Sequence, residues 1–151
     1  MPELTHLGKQ SLILSDPSLV ILDAVPNPDM ENLYSCRFTI PEFTSLCPVT
    51  GAPDFAVLII DYIPSMHLLE SKSLKLLTFA YRNRGSFHEK CTMEVGKKIY
   101  DTIAPYWLRI AGFWNGRGGI SIEVVGEFGT LPDGVRPLSI DNVKLYNNGH
   151  Y

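Results

Sequence analysis

The longest unbroken apolar run is Phe55 to Ile60, far short of the roughly 18 residues that a membrane-spanning helix needs. No membrane helix is expected. The opening Met-Pro-Glu-Leu-Thr-His carries no basic stretch followed by an apolar one, so a secretory signal is not expected either. Cysteine is scarce. Cys36, Cys47 and Cys91 are the three present; they cannot all pair within the chain, and an odd, low count suits a reducing, cytoplasmic compartment better than a disulfide scaffold. Net charge is −3 with no dense block of Lys or Arg, which leaves nothing to neutralise a long row of phosphates. Nucleic acid is therefore not an expected partner, whereas a compact ligand with a few phosphates needs only two or three well-placed cations.

Several catalytic signatures are missing too. No Cys-x-x-Cys or His-x-x-x-His pair occurs, and His6, His67, His88 and His150 are scattered, so no metal is expected. No Gly-x-Gly-x-x-Gly follows a strand, which excludes a Rossmann cofactor site, and there is no Gly-x-Ser-x-Gly nucleophile elbow.

What remains is an ordinary globular composition, 45% hydrophobic and 19% charged over 151 residues, which fits one domain spanning 1–151. Residues 1–18 show no sustained period and read as a loosely ordered arm. Leu19 to Val25 suits a short strand. Tyr34 to Ile40 alternates, with Tyr34, Cys36, Phe38 and Ile40 on one face, as a half-buried strand does. Pro41, Pro48, Gly51 and Pro53 then break the chain into a loop, and Phe55 to Asp61 returns as a strand. Over Glu70 to Arg84, Leu74, Leu77 and Tyr81 recur at helical spacing with Lys72, Lys75 and Arg82 off the stripe. Ser86 and Glu89 have the spacing of a capping box for a second helix, which buries Cys91, Val95, Ile99 and Ile103 and stops at Pro105. Tyr106 to Trp114 and Gly119 to Phe128 read as a hairpin turning at Asn115-Gly116-Arg117-Gly118. Runs of strands around a run of helices argue for an α+β fold, helices on one face of an antiparallel sheet and the other face uncovered. Asn142 to Tyr151 is a polar tail.

Chemistry has few places to sit. Cys47 lies in the Pro/Gly-rich loop, where function concentrates, although a lone cysteine is often just a small hydrophobe. Asp54 stands at the mouth of the next strand, either facing the same cleft or serving as a turn former. Lys72 and Lys75 are neighbours on the first helix, whose free N-terminal amides attract anions; with Arg117 from the hairpin they could hold phosphates, or simply form a solvated face. His88 and Glu89 open the second helix, where they can cap it or, in the case of Glu89, accept two hydrogen bonds from a purine-like ring.

Three segments together resemble the short, single-module form of the 7-cyano-7-deazaguanine reductase family, the nitrile reductases of queuosine biosynthesis, which serve tRNA modification. They are Leu-Cys-Pro-Val-Thr-Gly-Ala-Pro-Asp-Phe around Cys47 and Asp54, Glu-Ser-Lys-Ser-Leu-Lys at 70–75, and Ser-Phe-His-Glu at 86–89 followed by Arg-Gly-Gly at 117–119. The likeness extends over residues 34 to 125. Trp114-Asn115-Gly116 stands where the family more often has a Thr-Pro pair before the arginine, and the tail has no counterpart.

The resemblance implies the tunnelling fold, two helices on a four-stranded antiparallel sheet, with subunits joining their sheets into a barrel and active sites between neighbouring subunits of a homo-oligomer. It implies Cys47 as a nucleophile forming a thioimide with the nitrile and Asp54 as the acid, with the substrate held by Glu89, His88 and Ser71. It further implies Lys72, Lys75 and Arg117 as ligands of NADPH, two per substrate. Cys91, two residues beyond Glu89, is a candidate partner for a reversible disulfide with Cys47. The alternatives are a tunnelling-fold protein that binds a pterin or purine without reducing it, and a purely structural oligomer.

Overall fold

The computed structural model describes residues 5, 10 and 12–141; the polar tail at 142–151 and half of the expected arm at 1–18 lie outside the described residues. A single 3-10 turn, Pro17–Leu19, is followed by β1 (Ala24–Pro26), β2 (Cys36–Leu46), β3 (Pro53–Ile63), β4 (His67–Leu69), α1 (Ser71–Ala80), α2 (His88–Ile103), β5 (Trp107–Arg117) and β6 (Ile120–Gly129). The four long strands form one antiparallel sheet in the order β2-β3-β5-β6, and β1 pairs with β4 in a separate ribbon. Both helices pack on one face, as the α+β expectation required.

Strand periodicity decides which face. Leu58, Ile60 and Tyr62 of β3 and Leu108, Ile110 and Trp114 of β5 point the same way, into a core shared with Leu74 and Leu77 of α1 and with Cys91, Val95, Ile99 and Ile103 of α2. Helix α2 lies close on the sheet at Gly96, where a Cβ would stand 2.7 Å from Ile110 and 2.9 Å from Phe128. The opposite face is not left bare, contrary to expectation. Val57, Ile59, Ala111 and Phe113 cluster there with Ile140 from the chain after β6. That segment is held by side chains: Arg37 donates to Ser139 O at 3.0 Å, and Arg37 and Arg109 both donate to Leu138 O.

Several boundaries differ from the sequence expectation for identifiable reasons. Helix α1 stops at Ala80 rather than Arg84, and its N-cap is Glu70, whose carboxylate accepts from Lys72 N at 2.8 Å and Ser73 N at 2.7 Å. The capping box does not form in α2: Phe87 is the N-cap, and the Ser86 hydroxyl contacts Phe87 O instead. Pro41 does not end β2, because it sits in an edge strand at an irregularity, where its missing N–H is tolerated. The hairpin turns at Gly118 and Gly119, both at positive φ, so Asn115 to Arg117 belong to β5. The early strand is β1, shifted later to Ala24–Pro26.

Candidate functional site

Two bulges aim the site. On β2, Ile40 opposes Leu58 and Phe43 opposes Ala56, three steps against two, so one extra residue is inserted. A strand alternates faces at each step, and the insertion lets Phe43 and Ser45 join Ile40 on the helix side. On β5 the same happens between Trp114, opposite Ile122, and Arg117, opposite Ile120. Without it Arg117 would point away from the helices. Ser45 therefore sits directly across from Asp54 in the β2–β3 register, and Arg117 comes round to the same side.

Cys47 follows the end of β2 in a closed turn. Its N–H donates to Ala52 O at 2.8 Å and its carbonyl accepts from Gly51 N at 2.9 Å, with Gly51 at φ +71, a conformation that suits glycine. Leu46 N donates to Arg84 O at 2.9 Å and Ser86 N to Leu46 O at 3.0 Å, which ties this turn to the start of α2. Donor groups surround the partly exposed sulfur: the Thr50 hydroxyl and amide, the Val49 amide and the Arg117 side chain. Together these lower the thiol to about 7. Much of it is thiolate at neutral pH, the reactive form.

Asp54 is only 4% exposed. Its Oδ2 lies 3.1 Å from His88 Nε2 and its Oδ1 3.0 Å from Arg117 Nη1, yet neither contact is aligned as a hydrogen bond and both carboxylate oxygens lack a partner. Buried polar atoms are rarely left so. His88 is held rigidly: its ring stacks on Trp114 with centroids 4.1 Å apart and planes at 8°, while Trp114 Nε1 donates to Thr92 Oγ1 at 3.1 Å. Arg117 Nη2 lies 3.4 Å from His88 Nε2, so Cys47, Asp54, His88 and Arg117 form one cluster.

Other expected residues lie elsewhere. Glu89 is exposed in the first turn of α2, one helical step from His88. Ser71, Lys72 and Lys75 belong to the start of α1, which follows β4; Leu69 N there donates to the Tyr62 hydroxyl at 3.2 Å. Tyr62 and Asp54 are separated by about 26 Å of β3 at strand rise. One chain does not bring these residues to Cys47. The expected free amides of α1 are also corrected, because the Glu70 carboxylate already takes two of them. Cys91 is a fully buried free thiol beside Ser45, and burial pushes it up to about 12. Among the described residues no cluster of three or more His, Cys, Asp or Glu side chains is placed to hold a metal ion, and no helix is long and apolar enough to cross a membrane.

Sequence reasoning overlooked Val49, Thr50 and Trp114. The first two sit in the Cys-Pro-Val-Thr-Gly run, where a tight turn after a cysteine aims successive amides back at the sulfur. Trp114 gave no local signal, since stacking on a residue 26 positions earlier follows from β5 crossing the start of α2.

The family model described as QueF-like protein matches residues 53–132, a little over half of the chain. The NADPH-dependent 7-cyano-7-deazaguanine reductase of Parvibaculum lavamentivorans is 53% identical over 133 residues, covering 88% of this chain and 86% of that protein. The protein of the same name from Nitrobacter hamburgensis is 54% identical over 130 residues, covering 86% and 82%. Among solved structures, the archaeosine synthase QueF-Like in its apo form matches with a TM-score of 0.57 at 24% identity, over 66% of this chain and 96% of that one, a likeness of fold. With the cysteine turn, the buried acid and half-identical relatives spanning nearly nine-tenths of it, the chain belongs to the QueF-like family.

Proposed function

We propose that this chain reduces the nitrile of 7-cyano-7-deazaguanine to an aminomethyl group with NADPH, through a covalent bond between Cys47 and the nitrile carbon. One observation carries the mechanism: a partly exposed sulfur ringed by donors that lower its thiol to about 7 stands in a cluster with a buried carboxylate that has no aligned hydrogen bond. The names of its close relatives support the substrate and the cofactor.

A nitrile carbon is a weak electrophile. Addition of the Cys47 sulfur forms a C–S bond, opens one C–N π bond and puts negative charge on nitrogen, where a nearby acid must deliver a proton. Asp54 is that acid. The role requires Asp54 to hold a proton when the nitrile arrives. The product of this step is a neutral thioimide and an ionised Asp54, which His88 at 3.1 Å is placed to reprotonate. NADPH, when bound, supplies the two hydrides that a four-electron reduction requires. Between them the C–S bond breaks, Cys47 leaves as thiolate, and an imine remains for the second reduction.

Glu89, exposed beside His88, accepts from the deazaguanine edge, with Ser71 as a further contact. Lys72 and Lys75 suit cofactor phosphates by charge and by standing one turn apart; since Glu70 occupies the α1 amides, the grip falls to these side chains and to Arg117. Both lysines stand at the far end of β3 from Cys47, so a complete site takes them from a second copy in a homo-oligomer whose sheets join into a barrel. Reaction in the cytoplasm keeps the three cysteines reduced.

The protein incubated with 7-cyano-7-deazaguanine and NADPH is expected to form the amine with two NADPH oxidised per amine. Recovery of unchanged nitrile from active-site-intact protein would refute the assignment.

A further inference from the structure

We propose that Arg117 is a positioning residue shared by nucleophile and acid: from the β5 bulge its guanidinium reaches Cys47, Asp54 and His88 together, and it must swing off Asp54 before the proton is delivered. This rests on the roles given above to Cys47 and Asp54.

The geometry sets a conflict that only movement resolves. The His88 Nε2 atom faces both Asp54 Oδ2, at 3.1 Å, and Arg117 Nη2, at 3.4 Å. Arginine only donates and a carboxylate only accepts, so Nε2 cannot serve both: facing Arg117 it offers a lone pair, facing Asp54 a proton. With Arg117 in place, its Nη1 stands 3.0 Å from Asp54 Oδ1 while His88 faces Oδ2, so neither oxygen is open to the nitrile nitrogen that must take the proton. With Arg117 withdrawn, Nε2 is free to carry a proton to Asp54, taken from water, while the proton Cys47 loses passes to solvent.

The hairpin permits the swing. Arg117 is 52% exposed at its side chain against 3% for Asp54, and Gly118 and Gly119 beyond it have open space around them. Its contact with Asp54 lacks hydrogen-bond alignment, unlike the aligned Arg37–Asp61 pair on the other sheet face. The ionisable groups clustered with Cys47 are Asp54 from β3, His88 from α2 and Arg117 from β5. Arg84, whose carbonyl binds Leu46, turns its side chain to Asp16 at 3.4 Å.

The test is the pH profile of iodoacetamide alkylation at Cys47 in ligand-free protein, read by peptide mass, for wild type, Arg117→Gln and Arg117→Lys. Wild type should alkylate with a midpoint near 7. Arg117→Gln should move that midpoint up by about one pH unit and slow alkylation several-fold at neutral pH, with Arg117→Lys recovering most of the loss. The acidic limb of the pH profile for adduct formation with the nitrile should also move up in Arg117→Gln, since the thiolate then appears only at higher pH. A midpoint unchanged in Arg117→Gln overturns the inference; if that variant does not fold, an unchanged midpoint in a second neutral variant, Arg117→Ala, does so. Alkylation uses no nitrile, so a wild-type protein that alkylates normally but forms no adduct refutes the proposed function instead.

Discussion

Asp54 and Asp61 lie on the same strand, both almost fully buried, at 4% and 1% exposure, and their odd spacing puts them on opposite faces of the sheet. Asp61 is fully engaged: Arg37 donates to it through Nε at 2.6 Å and Nη2 at 2.9 Å, and Arg109 donates from the neighbouring strand. Those arginines also bind the carbonyls of Leu138 and Ser139, so the carboxylate anchors the chain after β6 across the helix-free face. Asp54 has Arg117 and His88 near it and no aligned hydrogen bond. Burial is alike in the two. What separates the anchoring carboxylate from the proposed acid is whether its acceptor capacity is already spent.

Substitution should divide the pair cleanly. Asp54→Asn is expected to slow turnover by about 10²–10⁴-fold, the usual worth of a placed acid, with unfolding free energy unchanged or raised, because an unsatisfied buried charge is removed. A stability loss matching that of Asp61→Asn would erase the distinction. Asp61→Asn is expected to cost about 3–5 kcal/mol in urea unfolding, since it leaves two guanidinium groups facing one neutral partner; a loss under 1 kcal/mol would show that the anchoring is ornamental. Glu70 sharpens the contrast as a third buried carboxylate, satisfied by backbone alone. Its replacement by Ala should cost about 1 kcal/mol, the worth of an N-cap, and a loss as large as that for Asp61 would mean it does more than cap α1.

The sequence made the fold legible where periodicity was long. Cys36, Phe38 and Ile40, Leu74 with Leu77, and Cys91 to Ile103 each report burial of one face directly, and these face the core as read, while Tyr34 falls before the strand begins. The bulges were not legible. Pro41 looked like a strand breaker and Asn115-Gly116 like a turn, because each local signal marks an irregularity without saying whether the strand resumes after it. The consequence was large, since both irregularities decide which way Ser45 and Arg117 point. Within the site, Cys47 and Asp54 were readable from their loop. The sharing of His88 and Arg117 between them depends on α2 and β5 meeting beside β3, a contact that no spacing along the chain encodes. The placement of Lys72 and Lys75 at the other end of β3 was equally hidden, because residues adjacent in a motif list need not be adjacent in one subunit.

The central claim is a bond from Cys47 to the nitrile carbon, and intact-mass measurement of protein held with 7-cyano-7-deazaguanine in the absence of NADPH tests it most directly. Addition has no leaving group, so the expected result is a gain equal to the whole mass of the nitrile in wild type and no gain in Cys47→Ala. Unmodified wild-type protein at saturating nitrile, or the same gain in Cys47→Ala, would contradict it.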